Sequence, residues 1–462
     1  MRRLDAPGQP SLASQPRGLF SDLTGAVKNG VPLHVILDVS RLLSCVHRVS
    51  PSGIERVEMA YARRWLARPE AECTFVAQSL WGWFGALPRA RIAALLDALE
   101  EVWDHGPPAG RGPRRAQRIA LAMLAGLLRG AGRAELRRKL AGPRPSVFLL
   151  VSHRGLDRRA PIQAMRRAGA RFVPLIHDLI PLTHPEFTRL PQVGRHAARI
   201  ATTATFADGI IVNSAFTESV LIEHLAPHGR PIPPIAVAPL GIRPLRPAAA
   251  PLPTEPYFLC LGTVEPRKNH ELLLRLWRDL ALEGRTGPKL LLCGRRGWGN
   301  AQALALLDQD EALRGVVQEL GPLPDGRVTE LLAGARALLF PTFVEGYGLP
   351  VAEALALGVP VLCSDLPALR EVGGEAPDFL DPHDQAAWRR AILDYARPDS
   401  PARAAQRARL ARWQAPDWET HFAAVDRLLA EVTEAPAGLR PTRPALPEPH
   451  LAGPASVDAT AA

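Results

Sequence analysis

An α/β protein of two doubly wound parallel-sheet units is what the sequence predicts, on three observations. Short apolar runs alternate with amphipathic helical patterns from Val31 to Val237, and the alternation restarts at Tyr257 and continues to about Leu380. Between the two series lies the Pro- and Ala-rich stretch 243–256, whose low complexity marks an interdomain linker. The chain has 462 residues, enough for two ordinary cores, and its 47% apolar and 22% charged content excludes a disordered or fibrous protein.

In the first series, His34 to Leu43 reads as a strand entering a loop that holds Pro51 to Val57, and an amphipathic helix follows to about Leu66. Gly53 at that junction suits close backbone approach to a ligand, whereas Arg56 is either a surface residue or part of the site. Segment 106–146 carries ten basic residues against the single acid Glu135, around an apolar run from Ile119 to Leu128 that is too short to span a bilayer. It is either a packed helical insertion or a contact for an anionic membrane surface. No aromatic stacking series or zinc-finger spacing accompanies the charge, which sets nucleic acid aside. Phe172 to Pro181 places His177 and Asp178 at a strand end, and Ser214 after Ile210–Val212 reads as a helix N-cap. Ala238-Pro239-Leu240-Gly241-Ile242 ends the first series and resembles the Pro-x-Gly stop at the end of the first domain of family-4 glycosyltransferases, which implies that Gly241 lines the space between the units.

In the second series, Tyr257 to Leu261 is an apolar strand closed by Gly262, and Arg267 and Lys268 follow just before a helix from His270 to about Leu282. Two adjacent cations at a strand end form an anion clamp. Lys289 to Cys293 runs into Gly294, and Val316 to Gly321 runs into a turn with Leu323, which either caps the core or meets a ligand. Ala337 to Phe340 then leads through Pro341 into the turn Glu345-Gly346-Tyr347-Gly348-Leu349-Pro350. A helix opens there, carries Glu353 in its first turn and stops at Gly358, before a strand from Val359 to Cys363. Free N–H groups at such a turn suit a phosphate, and carboxylates at Glu345 and Glu353 suit sugar hydroxyls.

The stretch from Glu345 to Glu353, continued through Pro360, Ser364-Asp365-Leu366-Pro367, Glu371 and Gly373-Gly374, resembles the E-x7-E element of family-4 retaining glycosyltransferases. Gly262-Thr-Val-Glu-Pro-Arg-Lys-Asn269 resembles their diphosphate loop, and His177-Asp178-Leu179-Ile180-Pro181 their donor-sugar loop. The loop around Gly53 is similar to that of bacterial polysaccharide mannosyltransferases of this family. The resemblance implies the GT-B fold, two Rossmann-like domains facing a cleft. The expected domains are an acceptor-side domain over 31–243 and a nucleotide-sugar domain over 257–412, with a helix over 413–434 crossing back between them. Residues 1–30 are expected to be a variable segment and 435–462 a disordered tail.

By the same resemblance Glu345, His177, Arg267 and Lys268 are the catalytic set. Glu353, Gly346, Tyr347, Gly348, Leu349, Leu323 and Gly294 bind the donor, and Gly53 forms the acceptor and phosphate loop. A sugar, mannose first, passes with retention from a nucleoside diphosphate to a polysaccharide or lipid-linked glycan. Neither metal nor cofactor is expected, the donor itself being a nucleoside-diphosphate sugar. Epimerisation or hydrolysis of the nucleotide sugar, and a non-catalytic membrane-associated scaffold, are the alternatives. Five cysteines without zinc spacing, no signal peptide and no membrane span lead to an expectation of a cytoplasmic enzyme, peripheral at the inner face of the membrane.

Overall fold

The computed structural model describes residues 33–107, 114–243, 252–284 and 287–434. The expectations for 1–30, for most of the linker and for 435–462 lie outside these residues.

Thirteen strands form two sheets among the described residues. The first holds β1 (His34–Asp38), β2 (Cys73–Gln78), β3 (Phe84–Ala86), β4 (Ser146–Leu150), β5 (Arg171–Ile176), β6 (Ile210–Val212) and β7 (Ile235–Val237), in the order β3-β2-β1-β4-β5-β6-β7. Only the edge strand β3 runs antiparallel to its neighbour. The second holds β8 (Tyr257–Leu261), β9 (Lys289–Cys293), β10 (Val317–Gly321), β11 (Leu338–Phe340), β12 (Val361–Ser364) and β13 (Asp378–Leu380), in the order β10-β9-β8-β11-β12-β13, all parallel. Strands such as Val147–Leu150 and Leu338–Phe340 are apolar throughout because helices cover both faces, leaving no solvent side for polar residues. Strand order reverses between β1 and β4, and again between β8 and β11, which opens a crevice at the carboxyl end of each sheet.

One expectation for local structure changes, and one gains detail. The run His34–Leu43 is a strand only to Asp38, because Ser40–Ser44 turns into a short helix. The Asp38 carboxylate accepts hydrogen bonds from the Ser40 N–H (3.1 Å) and hydroxyl (2.5 Å), which ends the extended chain there. The basic segment is two helices, Arg114–Leu128 and Arg133–Leu140, joined through Gly130 and Gly132 at positive φ.

The last helix, Trp418–Glu434, lies against the first sheet. His421 hydrogen-bonds the Ala238 carbonyl (3.0 Å) and the Tyr61 hydroxyl (2.8 Å), and a Cβ on Gly209 would stand 2.7 Å from Val432. Trp413 precedes this helix and is still held by the second sheet's side, its indole N–H donating to the Val372 carbonyl at 3.0 Å. Gly241, expected to line the space between the units, instead packs on the start of the helix: a Cβ there would lie 2.4 Å from the Trp418 nitrogen.

Candidate active site

Two loops at the reversal point of the second sheet build one wall. After β8 the chain turns through Pro266–Lys268 and passes Asn269 at φ 53°, a left-handed conformation that asparagine tolerates. After β11, the Thr342 hydroxyl (2.9 Å) and the Phe343 N–H (2.8 Å) both donate to the Arg267 carbonyl, tying the loops together. This brings Glu345 against both cations, with its Oε2 2.9 Å from Arg267 and 2.5 Å from Lys268. Arg267 also meets Glu265 at 2.7 Å, and Lys268 Nζ lies 4.3 Å from the centre of the Phe340 ring. Burial works against a charged Glu345, but Arg267 and Lys268 outweigh it and hold the carboxyl below its usual range. Burial lowers the Lys268 pKa, with Glu345 opposing the shift.

The turn that follows fits an anion. Gly348 sits at φ 104°, open to glycine but strained for other residues. Among the described residues the N–H groups of Gly346, Tyr347 and Gly348 donate no hydrogen bond, and they stand before the N-terminus of the helix Leu349–Ala356. Glu353 lies in the second turn of that helix rather than the first, since the helix starts at Leu349. It is half-buried, and burial raises its pKa although Arg56 opposes this. The Tyr347 side chain points away from the turn, its hydroxyl donating to the Leu240 carbonyl at 2.7 Å.

The first unit closes on this wall at several points. A Cβ on Gly346 would fall 2.6 Å from the His177 carbonyl and 2.8 Å from the Asp178 Cβ, so this glycine is what allows the His177 loop to approach. The Ser214 hydroxyl caps its helix by accepting from Thr217 N–H (3.0 Å) and donates to the Gly346 carbonyl (3.1 Å), so it is already occupied. Glu371 accepts from the N–H groups of Ala215 and Phe216, both at 2.7 Å, capping the N-terminus of the helix Ala215–Leu225 across the gap. Arg56 makes a bidentate pair with Asp325, at 2.6 and 2.7 Å. Phe187 stacks on Phe343 with parallel rings 5.4 Å apart, and Phe343 stacks on His383 at 4.9 Å.

Gly53 opens the helix Gly53–Ala67, whose start is fixed by a capping bond from Ser52 N–H to Glu55 Oε2 at 2.7 Å. A Cβ on Gly53 would meet Leu349 at 3.4 Å, which sets this residue opposite the Leu349 helix. Burial pushes the His177 pKa down to about 4, so the ring is neutral at physiological pH. Its Nε2 lies 2.8 Å from the Val151 carbonyl, which can only accept; Nε2 therefore carries the proton and Nδ1 is an acceptor. Leu323 is half-buried against the core at the turn after β10. Gly294 owes its lack of a side chain to its neighbour strand, since a Cβ would lie 1.9 Å from the Gly262 carbonyl.

The sequence-based reading underrated Arg56 and missed Asp325 as its partner, 269 residues away. It also missed His153 and His196, whose rings pack edge-on in a row with His177. Isolated histidines far apart in sequence carry no signal that they meet.

Residues 243–410, which contain the Arg267–Lys268–Glu345 cluster, match the family described as Glycosyl transferases group 1. The O-antigen chain mannosyltransferase B of Escherichia coli is 31% identical over 290 residues, covering 61% of this chain and 76% of that protein. The chain belongs to the group 1 glycosyl transferases. This glycosyltransferase is also 27% identical over 251 residues to the serotype-specific mannosyltransferase WbdA of E. coli, covering 51% of this chain but only 31% of the relative's length. Its fold is GT-B. The sucrose-phosphate synthase of Thermosynechococcus elongatus superposes with a TM-score of 0.56 at 16% identity, covering 87% of this chain and 99% of that structure. With transferases as relatives, neither the epimerase or hydrolase alternative nor the scaffold alternative is favoured.

Proposed function

We propose that this glycosyltransferase moves mannose, with retention of configuration, from a nucleoside diphosphate to a glycan acceptor during synthesis of a cell-surface polysaccharide. The Glu345–Arg267–Lys268 cluster, set beside a turn of free N–H groups, is the observation that carries the proposal. Arg267 and Lys268 take the donor diphosphate and stabilise the charge that develops as the sugar–phosphate bond breaks. The turn at Gly346–Gly348 holds a phosphate, Glu353 accepts from the ribose hydroxyls, and Glu345 meets the donor sugar. Neutral His177 accepts a sugar hydroxyl at Nδ1. The acceptor attacks on the face the diphosphate leaves, and the leaving phosphate takes its proton, so no second carboxylate has to act as a nucleophile. No metal is required. The mannosyltransferase relatives support mannose as the sugar.

The test is a thermal-shift screen of nucleotide sugars followed by a transfer assay. One mannose donor should raise the melting temperature by mass action, and Arg267→Ala should lower transfer by roughly a hundredfold or more. Stabilisation by a different sugar would overturn mannose, and wild-type transfer by Arg267→Ala would overturn the site.

The enzyme is further proposed to work at the cytoplasmic membrane face through segment 106–146. Helix Arg114–Leu128 buries Ala116, Ala120, Met123 and Leu127 but exposes Leu121, Leu124 and Leu128 as a stripe among arginines. No described helix is long and apolar enough to cross a membrane. Flotation with anionic vesicles should recover the wild-type protein, and replacing the three leucines with serine should abolish recovery. Equal recovery of both would remove this part of the proposal.

A further inference from the structure

The crevice at the reversal point of the first sheet holds chemistry that donor binding does not use. A cavity of about 580 Å³ opens there, at the carboxyl ends of β1, β2 and β4. Arg41, Arg154, Arg158, Arg195, Arg199 and His153 all line it, against the single acid Asp157. Of these, only Arg41 has a carboxylate ion-pair partner among the described residues, Glu55 at 3.2 Å, and Glu55 is shared with Arg48. Arg158 donates to the neutral Gln78 amide at 3.2 Å, and Arg199 lies 3.4 Å from the His196 ring. Arg154 and Arg195 have no ion pair among the described residues. The Nε atoms of Arg41 and Arg199 are buried without a hydrogen-bond partner.

Five guanidinium groups gathered in a concave site with Asp157 as the one acid in its lining repel one another, and part of their hydrogen-bonding capacity is lost to burial. Arg199 registers this: burial lowers its pKa, Asp157 opposes the shift, and the Arg195 charge adds to it. A tetrahedral dianion would relieve the repulsion and accept forked pairs from several arginines at once. The cavity is also connected to the reaction centre. Its wall residue His153 accepts a hydrogen bond from the His177 N–H at 3.3 Å, and the His177 carbonyl sits against the Gly346 turn. No residue of the second unit lines the cavity, whereas the proposed diphosphate clamp for the donor lies wholly in that unit.

We infer that this arginine-lined cavity is an anion site for the acceptor: it binds a phosphate group carried by the acceptor glycan and so presents an acceptor hydroxyl toward His177. The inference rests on the glycosyl-transfer reading above. Arg154 and Arg195 are binding residues, and Arg199 and His153 form the inner wall. The phosphate belongs either to a monoester on the glycan or to a diphosphate that links the glycan to its carrier.

Calorimetry tests this on the full chain saturated with the nucleoside diphosphate of the donor that the screen returns, so that the Arg267–Lys268 clamp is filled. Three probes share one sugar: a methyl glycoside, a sugar 1-phosphate and a methyl-capped sugar 1-diphosphate. A phosphorylated probe should bind the wild type at least tenfold tighter than the methyl glycoside, and the tighter of the two phosphorylated probes identifies the source. In the Arg154→Ala/Arg195→Ala variant, which changes two exposed side chains, this preference should fall to within twofold while nucleoside diphosphate affinity holds. The Arg154→Lys/Arg195→Lys variant should restore part of it. Equal binding of all probes by the wild type, or an undiminished preference in the alanine variant, overturns the anion site. If the phosphorylated probe binds as expected but no nucleotide sugar is ever transferred, the proposed function fails and the anion site stands.

Discussion

In the second unit the residues that face the cleft come from two loops, Glu265–Lys268 after β8 and Glu345–Leu349 after β11, and they form a neutralised ion cluster. In the first unit they come from five places, at Arg41, His153 and Arg154, His177, Arg195 and Arg199, and they leave positive charge unpaired beside three neutral histidines. The layouts of the two sheets are alike, so the difference lies in what each crevice is prepared to hold. One has its counter-charge built in, as Glu345 beside Arg267 and Lys268. The other pairs Arg41 with Glu55 and leaves Arg154 and Arg195 without an ion pair among the described residues, which is the room the proposed anion would fill.

The largest test of this contrast is Glu345→Gln. Removing the built-in counter-charge should lower transfer by about two to three orders of magnitude, yet nucleoside diphosphate should bind at least as tightly, because the carboxylate no longer competes for Arg267 and Lys268. His177→Ala in the first unit should reduce transfer without tightening the diphosphate. Titration calorimetry beside a transfer assay separates these results, and weaker diphosphate binding by Glu345→Gln would break the contrast.

Acid should come next, and it should act unequally. Burial pushes His34, His177 and His196 down to about 4 and His153 well below its usual value in the first unit; in the second, only His270 among the described residues is pushed down, also to about 4. These rings bind protons more readily when unfolded, so stability is full above about pH 6.5 and falls as pH drops toward 4. Asp38 and Glu58, whose carboxyls burial pushes up to about 6 and about 8, act the other way; between pH 7 and 5 the first unit should still lose about 2 kcal/mol, and hydrogen exchange should show β4 and β5 opening before β8 and β11. The reverse order would show that the histidine row is not what acid attacks.

The smallest effect concerns the joint between the units. A double-mutant cycle on Arg56→Ala and Asp325→Ala should give a coupling of about 1–2 kcal/mol in thermal or urea unfolding, as expected for a partly buried bidentate pair. Additive effects would mean that the pair forms without holding the units together.

The same contrast explains what was legible in the sequence. Arg267, Lys268 and Glu353 stood out because strand, glycine turn, charge and helix start are consecutive there, and consecutive residues define a local geometry. Both sheets were readable from apolar runs such as Lys289–Cys293 and Phe172–Ile176, since burial on two faces leaves a continuous pattern. The arginine cavity was not readable. Its arginines lie on the short helix Ser40–Ser44, in the loop after β4 and on the helix Leu190–Phe206, and an arginine there looks like any solvated cation until tertiary contact gathers several. Glu353 falls in the second turn because the helix begins at Leu349, directly after the left-handed Gly348 and one residue before Pro350.

The stacked pair Phe187 and Phe343 has a mechanical consequence. Parallel rings attract through area and offset, so they can slide past each other by an ångström or so with little change in energy, whereas a forked guanidinium–carboxylate pair loses its alignment over the same distance. The contact between the two units therefore has a lubricated end and a latched one. Relative motion of the units would slide along the aromatic rings, whereas the bonds of Arg56 to Asp325 and of the Ala215 and Phe216 N–H groups to Glu371 would have to break.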